Sequence, residues 1–222
     1  VTGSSVDTVR FVVRSIATTA VENEDYFGEL DAVVGDGDFG FSLARGFEKV
    51  LEDIDDYPDD TASALLQAAA MTISSRVGGT SGPIWGTGFL RASLSLRDTD
   101  EIDLAAVVAL LRAAAEGIQA RGKAQLGDKT LLDALIPATD ALAAADAEGE
   151  ADSSALVARF AAATRESAEA TSSLRAMRGR ASYSGERSIG SPDAGAVALA
   201  VIAERLAEQW PQRPGAENPD AG

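Results

Sequence analysis

The chain has 222 residues, 45% of them hydrophobic and 24% charged, which is enough apolar material to pack a core and leaves no long polar tract that would imply global disorder. Nineteen basic residues against 35 acidic ones give a net charge of −16, so a sequence-independent grip on nucleic acid or on an anionic membrane is disfavoured. Neither Cys nor His occurs, which removes thiolate and imidazole catalysis, disulfides, phosphohistidine relays and the usual zinc ligands; any chemistry falls to Asp, Glu, Lys, Arg, hydroxyls and backbone.

Alanine is abundant, and apolar residues recur at spacings of three and four, which predicts an all-α chain with almost no sheet. The first helix is expected over about residues 6–22, with Val9, Val12, Val13, Ile16 and Ala20 on one face. Seven more are expected near 41–55, 61–76, 83–97, 103–122, 131–146, 152–178 and 193–210, eight in all. Asp60 with Thr61, Asp103, Asp152 and Ser191 are the candidate N-caps or first-turn acids. Residues 1–210 read as one helical domain, and the proline-bearing tail 211–222 is expected to be disordered. The chain has no apolar run long enough to span a bilayer and no basic N-terminal region leading into an apolar core, so a cytoplasmic protein is expected, with no membrane partner.

Short links between helices imply antiparallel neighbours, which puts alternate connections at opposite ends of the assembly. The second, fourth and sixth connections are DYPDD, RDTDEID and AEGEAD, plain acidic turns. The first, third, fifth and seventh are LDAVVGDGDFG, RVGGTSGP, RGKAQLGDKT and RGRASYSGERSIGSPDAG, all rich in glycine with charged or hydroxyl residues. An up-and-down order therefore gathers every informative loop at one end.

Asp31, Asp36 and Asp38 surround a glycine turn, and three crowded carboxylates repel one another unless a hard cation sits among them, so all-oxygen ligation of Mg²⁺ is expected. N-capping alone would occupy one or two of the acids. Gly78, Gly79, Thr80, Ser81 and Gly82 open a helix, where glycines allow backbone N–H groups to approach an anion. No Walker lysine or preceding strand accompanies them. Lys129 is a candidate partner for phosphate or for the acidic loop, while Asp128 and Thr130 are candidate caps. The seventh connection carries Arg178, Arg180, Tyr183, Ser184, Arg187, Ser188 and Asp193 in a loop too long for a simple turn, and its arginines suit phosphate. Phe47, Trp85 and Phe89 read as core packing.

Together GDGDFG, GGTSGPIWGTGF, GDKTLLDALIPA and GRASYSGERSIGSPDAGA resemble, in order and over nearly the whole chain, the nucleotide-binding L subunit or C-terminal kinase domain of dihydroxyacetone kinases. The resemblance implies an eight-helix antiparallel up-and-down barrel with ADP or ATP and two Mg²⁺ ions held in loops at one end. It assigns Asp31, Asp36 and Asp38 to the metal and Thr80 and Ser81 to the phosphates. Arg180 and Asp193 become further nucleotide contacts, with Gly79, Gly122 and Leu131 near phosphate or adenine. Asp31, Asp36, Asp38 and Arg180 form the implied catalytic set.

The resemblance also implies a phosphotransferase that passes a phosphoryl group to a short ketose held by a separate K-type subunit, either from a consumed ATP or from a resident ADP recharged by a phosphotransferase-system protein. Two departures matter. Phe39 stands where the family motif GDGDHG has histidine, which leaves room for another acceptor such as a tetrulose. The family's sugar-binding domain holds the ketose through a histidine, and since none occurs in these 222 residues that domain is expected on a separate subunit. A nucleotide-dependent co-regulator of a transcription factor is the alternative role, and a ligand-free helical scaffold is the plainest one.

Overall fold

The computed structural model describes residues 5–99 and 101–216. Among them it contains no strand, and the regular structure is helical: α1 (Ser5–Glu22), α2 (Glu24–Ala32), α3 (Phe39–Asp53), α4 (Ala62–Arg76), α5 (Ser81–Ser95), α6 (Leu104–Gly122), α7 (Leu132–Glu148), α8 (Ser153–Ala170) and α9 (Ala194–Gln209), with short 3-10 turns beside them. The expected all-α class holds, and the eight expected helices correspond to every element except α2. That helix was hidden in the sequence because it has only nine residues, carries Gly28 in its middle and buries a single side chain, Phe27.

Two further boundaries differ from expectation. α8 stops at Ala170 and not near 178, because Thr171 redirects the chain: its Oγ1 donates to the Ala168 carbonyl and accepts from the Asp193 backbone N–H, tying the end of α8 to the start of α9. The cap of α9 is Asp193, whose carboxylate accepts from Ala196 N–H at 2.8 Å, and not Ser191. Thr61, Asp103 and Asp152 do cap α4, α6 and α8 through their side chains. The tail expected from residue 211 begins with a 3-10 turn, Trp210–Gln212, on which the Arg213 guanidinium lies 4.8 Å over the Trp210 ring. Residues 217–222 of that tail lie outside the described residues.

The eight longer helices close a ring. α1 packs on α3, each later helix packs on the next, and α9 returns to α1, while α2 leans on α3. The larger core cluster lies among α1, α3, α4 and α5, where Phe47 meets Trp85 edge-on at 6.0 Å and Phe89 at 6.3 Å. The opposite side, around α7, α8 and α9, is packed mostly by alanine: Ala134, Ala168, Ala196 and Ala200 are buried with Val197. Small residues let helices approach closely, and a Cβ on Gly46 would lie 2.0 Å from Val77 Cγ2. That contact seats the 77–80 connection directly against α3. The links 54–61, 96–99 with 101–103, and 149–152 then fall at one end of the ring, and the glycine-rich connections at the other.

Candidate active site

The four glycine-rich connections meet around one cleft of about 910 Å³. Its wall includes Asp31, Asp36 and Asp38 from the first connection, and Gly79, Thr80 and Ser81 from the next. Gly122 and Leu131 flank the third, and Arg180 and Asp193 belong to the last. All ten candidate residues therefore share a single cavity, in the size range of small-molecule sites.

The acid loop is built by α2 and α3. Asp31 sits in the last turn of α2 and accepts the Gly37 N–H at 2.9 Å, which folds the turn back on itself. Asp38 stands at the N-cap position of α3, yet its carboxylate makes no cap hydrogen bond, so helix capping does not account for it. One carboxylate oxygen from each of Asp31, Asp36 and Asp38 lies within 4.8 Å of the others. Partial burial raises the Asp38 pKa above the ordinary carboxylate value, and the charge of Asp36 adds to the rise while Arg180 opposes it. Arg180 pairs through Nη1 with Asp36, and its Nη2 lies 3.7 Å from Asp38. Three converging carboxylates with one arginine against them fit a hard divalent cation of the Mg²⁺ type.

Across the cleft, α5 begins at Ser81 with no side chain capping it, so the hydroxyls of Thr80 and Ser81 are free of that task. Gly79 holds φ at +62°, a left-handed conformation that suits glycine and turns the loop into the helix. Ile84, Ile118 and Leu131 add an apolar wall, and Trp85 lines the cleft while remaining packed in the core. Asp193 is half-buried in the cleft wall, and burial pushes its pKa up to about 7, with Asp133 adding to the rise and Lys129 and the cap hydrogen bond opposing it.

Other sequence candidates take structural roles. Lys129, almost completely buried, donates to the carbonyls of Leu174 (3.1 Å), Ser191 (2.6 Å) and Ser188, so it ties the long connection to the start of α7. Although it lines the cleft, it pairs neither with the acidic loop nor with a free anion position. Arg178 is held by Asp128 at 2.8 Å. Asp133, which the sequence reading passed over, accepts the N–H groups of Gly127 and Thr130 and shapes that turn. Arg121 and Met177 also line the cleft and were not singled out, since a cation at a helix end and a lone methionine carry no motif. Phe39 packs 6.2 Å from Phe27, so its ring joins the core beside the cleft. Among the described residues, no helix is long and apolar enough to cross a membrane.

Comparison with known proteins gives a consistent picture. The DAK2 domain profile matches residues 33–208. The chain is 35% identical over 204 residues to the ADP-binding subunit DhaL of the PEP-dependent dihydroxyacetone kinase of Escherichia coli, covering 92% of this chain and 96% of that subunit. It is 36% identical to the L-erythrulose 1-kinase of Mycolicibacterium smegmatis over 89% of its own length, but spans only 34% of that enzyme. Among solved structures, the dihydroxyacetone kinase from C. freundii in complex with AMP-PNP and Mg²⁺ superposes with a TM-score of 0.72 at 25% identity, over 94% of this chain and 35% of that one.

Proposed function

The chain belongs to the DAK2-domain family, and on that premise we propose that it is the phosphotransfer part of a kinase, holding a magnesium–adenine nucleotide in its loop-end cleft. The acceptor in this reading is a short ketose bound by a separate K-type partner. One observation carries the reading: ten residues from four separated motifs line the same cavity, with three carboxylates converging on one side and an uncapped helix start on the other.

Asp31, Asp36 and Asp38 hold the metal, one ion or two. When bound, Mg²⁺ supplies positive charge to the phosphate oxygens and lowers the cost of charge developing there. The chain's own residues orient and enclose. Thr80, Ser81 and the first N–H groups of α5 take phosphate oxygens, with Gly79 allowing the close approach. Arg180 offsets phosphate charge, while Gly122, Leu131 and Asp193 flank the nucleoside against the apolar wall. No protein nucleophile is needed in this reading, and transfer rests on positioning and electrostatics.

The E. coli relative, the ADP-binding subunit of a PEP-dependent kinase, supports a resident ADP, with a phosphotransferase-system protein as its proposed donor, and the AMP-PNP complex of the C. freundii enzyme supports ATP as a consumed substrate. Mass spectrometry of nucleotide released from protein purified without additions separates the two: retained ADP that resists exchange marks the first. The similarity to an erythrulose kinase, together with Phe39 in the acid loop, supports a tetrulose as a second candidate acceptor.

The test of the site itself is thermal. A ligand that binds only the folded state raises Tm, by about 2.7 kcal/mol of stability at a hundred times its Kd. ADP with Mg²⁺ is expected to stabilise the native chain and to lose most of that effect in Asp36→Ala, with helicity intact by circular dichroism. An unaltered Tm of the native chain with Mg²⁺ and either ADP or ATP overturns the reading.

A further inference from the structure

The last loop is a strap pinned at both ends and hinged in between. Before it, Arg178 is fixed on Asp128, and the Met177 N–H donates to the Asp128 carbonyl at 3.0 Å. After it, buried Ser188 accepts the Ala176 N–H at 2.9 Å through its hydroxyl, and its carbonyl is held by Lys129. The segment between starts at Gly179 (φ 60°, ψ −164°) and is broken at Gly185 (φ 57°, ψ −127°), backbone conformations that other residues rarely adopt. Its described attachments to the acid loop are the Arg180 ion pairs with Asp36 and Asp38 and a hydrogen bond from Ser184 Oγ to the Val34 carbonyl at 2.9 Å.

We propose that Arg180 is an internal counter-ion that occupies the acid loop until metal and nucleotide arrive together, and then passes from Asp36 and Asp38 to phosphate. This rests on the magnesium–nucleotide reading of the cleft. A guanidinium paired with Asp36 competes with any cation for that carboxylate, because both need the same lone pairs. Metal alone must therefore displace Arg180 and leave it without an anion. Metal with nucleotide brings phosphate oxygens that accept it, and the glycine hinges let the strap turn while its pinned ends stay in place. Metal and nucleotide then bind with positive coupling, which by linkage acts equally in both directions. Arg180 in this sense positions the acid loop before metal and nucleotide bind and contacts phosphate afterwards.

The experiment measures binding of Mn²⁺ alone, by electron paramagnetic resonance, to the native chain, Arg180→Gln and Ser184→Ala, and then ADP binding with and without Mn²⁺. Arg180 is well exposed, so the ion pairs are modest, and Arg180→Gln is expected to tighten Mn²⁺ alone by about three- to tenfold while weakening ADP. The coupling between Mn²⁺ and ADP should shrink by a similar factor. Ser184→Ala, which frees the strap without removing the charge, should move Mn²⁺ affinity in the same direction by a smaller factor. Equal Mn²⁺ affinity in the native chain and Arg180→Gln, with only ADP weakened, overturns the exchange and leaves Arg180 a plain phosphate ligand. Absence of Mn²⁺ binding in every variant, with ADP present, overturns the exchange and the parent reading together. Circular dichroism confirms that each variant is folded.

Discussion

Replacing Lys129 by Met separates a structural tie from a phosphate ligand. The ammonium donates to three carbonyls of the long connection, at Leu174, Ser188 and Ser191, and the residue is 2% exposed. Methionine keeps the length and meets the same positive φ of 62°, so the backbone cost is little changed. Ser188 is fully buried, and leaving its carbonyl without a donor costs about 1–3 kcal/mol. Leu174 and Ser191 are only partly buried, so water replaces much of what they lose, while removing a buried charge returns part of its desolvation penalty. The net loss is about 2–3 kcal/mol, or about 4–12 °C in Tm for a chain of this size. Urea unfolding of the unliganded protein measures it. A loss below about 0.5 kcal/mol, accompanied by a collapse of the Mg²⁺–ADP stabilisation, would refute the tie and restore Lys129 as a direct phosphate ligand.

Two shorter predictions concern the rest of the scaffold. Because the folded Asp193 carboxyl has its pKa raised from 3.8 to about 7, the native state binds a proton that the unfolded chain has released, so this group makes stability fall as pH rises from about 4 to about 7. Asp193→Asn, which can still cap α9 through its amide oxygen, should flatten that part of the profile in urea titrations at pH 5 and pH 8; an unchanged difference between the two pH values counts against the assignment. Gly40→Ala should destabilise the chain by about 1–3 kcal/mol by denaturation, since its Cβ would sit 2.0 Å from the Glu24 carbonyl oxygen and 2.6 Å from Gly28 N, backbone atoms that can yield only by moving α2. A stability equal to that of the native chain would mean that α2 is not packed on α3 as closely as described.

The parts of the molecule legible from the sequence are those whose signal is local. Helix existence follows from apolar spacing, and the caps Thr61, Asp103 and Asp152 sit immediately before the runs they start. Loop composition alone separates the acidic turns from the glycine-rich connections, and the alternation of short links then gathers the latter at one end. The acid loop was visible because Asp31, Asp36 and Asp38 lie within eight positions of one another. What was hidden depends on partners far along the chain. Lys129 reads as a partner for phosphate or for the acidic loop, and only the carbonyls of Leu174, Ser188 and Ser191 reveal it as a buried tie. The segment after Ala170 keeps a helical composition, yet Thr171 bonded to Asp193 N–H ends the helix there. α2 owes its place to Phe27 in the core and to the close approach of Gly40, neither of which leaves a periodic trace.

The charge balance of the cleft gives these pieces one physical logic. A chain of net charge −16 attracts no polyanion at long range, and its cleft gathers three of its carboxylates where phosphate is proposed to lie. The nearby cations are mostly committed: Arg178 to Asp128, Lys129 to backbone carbonyls and Arg180 to the acid loop itself. A nucleotide entering without a cation would meet like charges, and a cation entering without a nucleotide would meet an arginine already in place. Each arrival by itself is weakened, whereas in the proposed exchange a preformed metal–nucleotide complex relieves the carboxylate repulsion and gives Arg180 a new anion in one step. On the proposed reading the acidity of the chain acts as a filter that favours the metal complex over the free nucleotide, and the shape and apolar wall of the cleft are left to select the base.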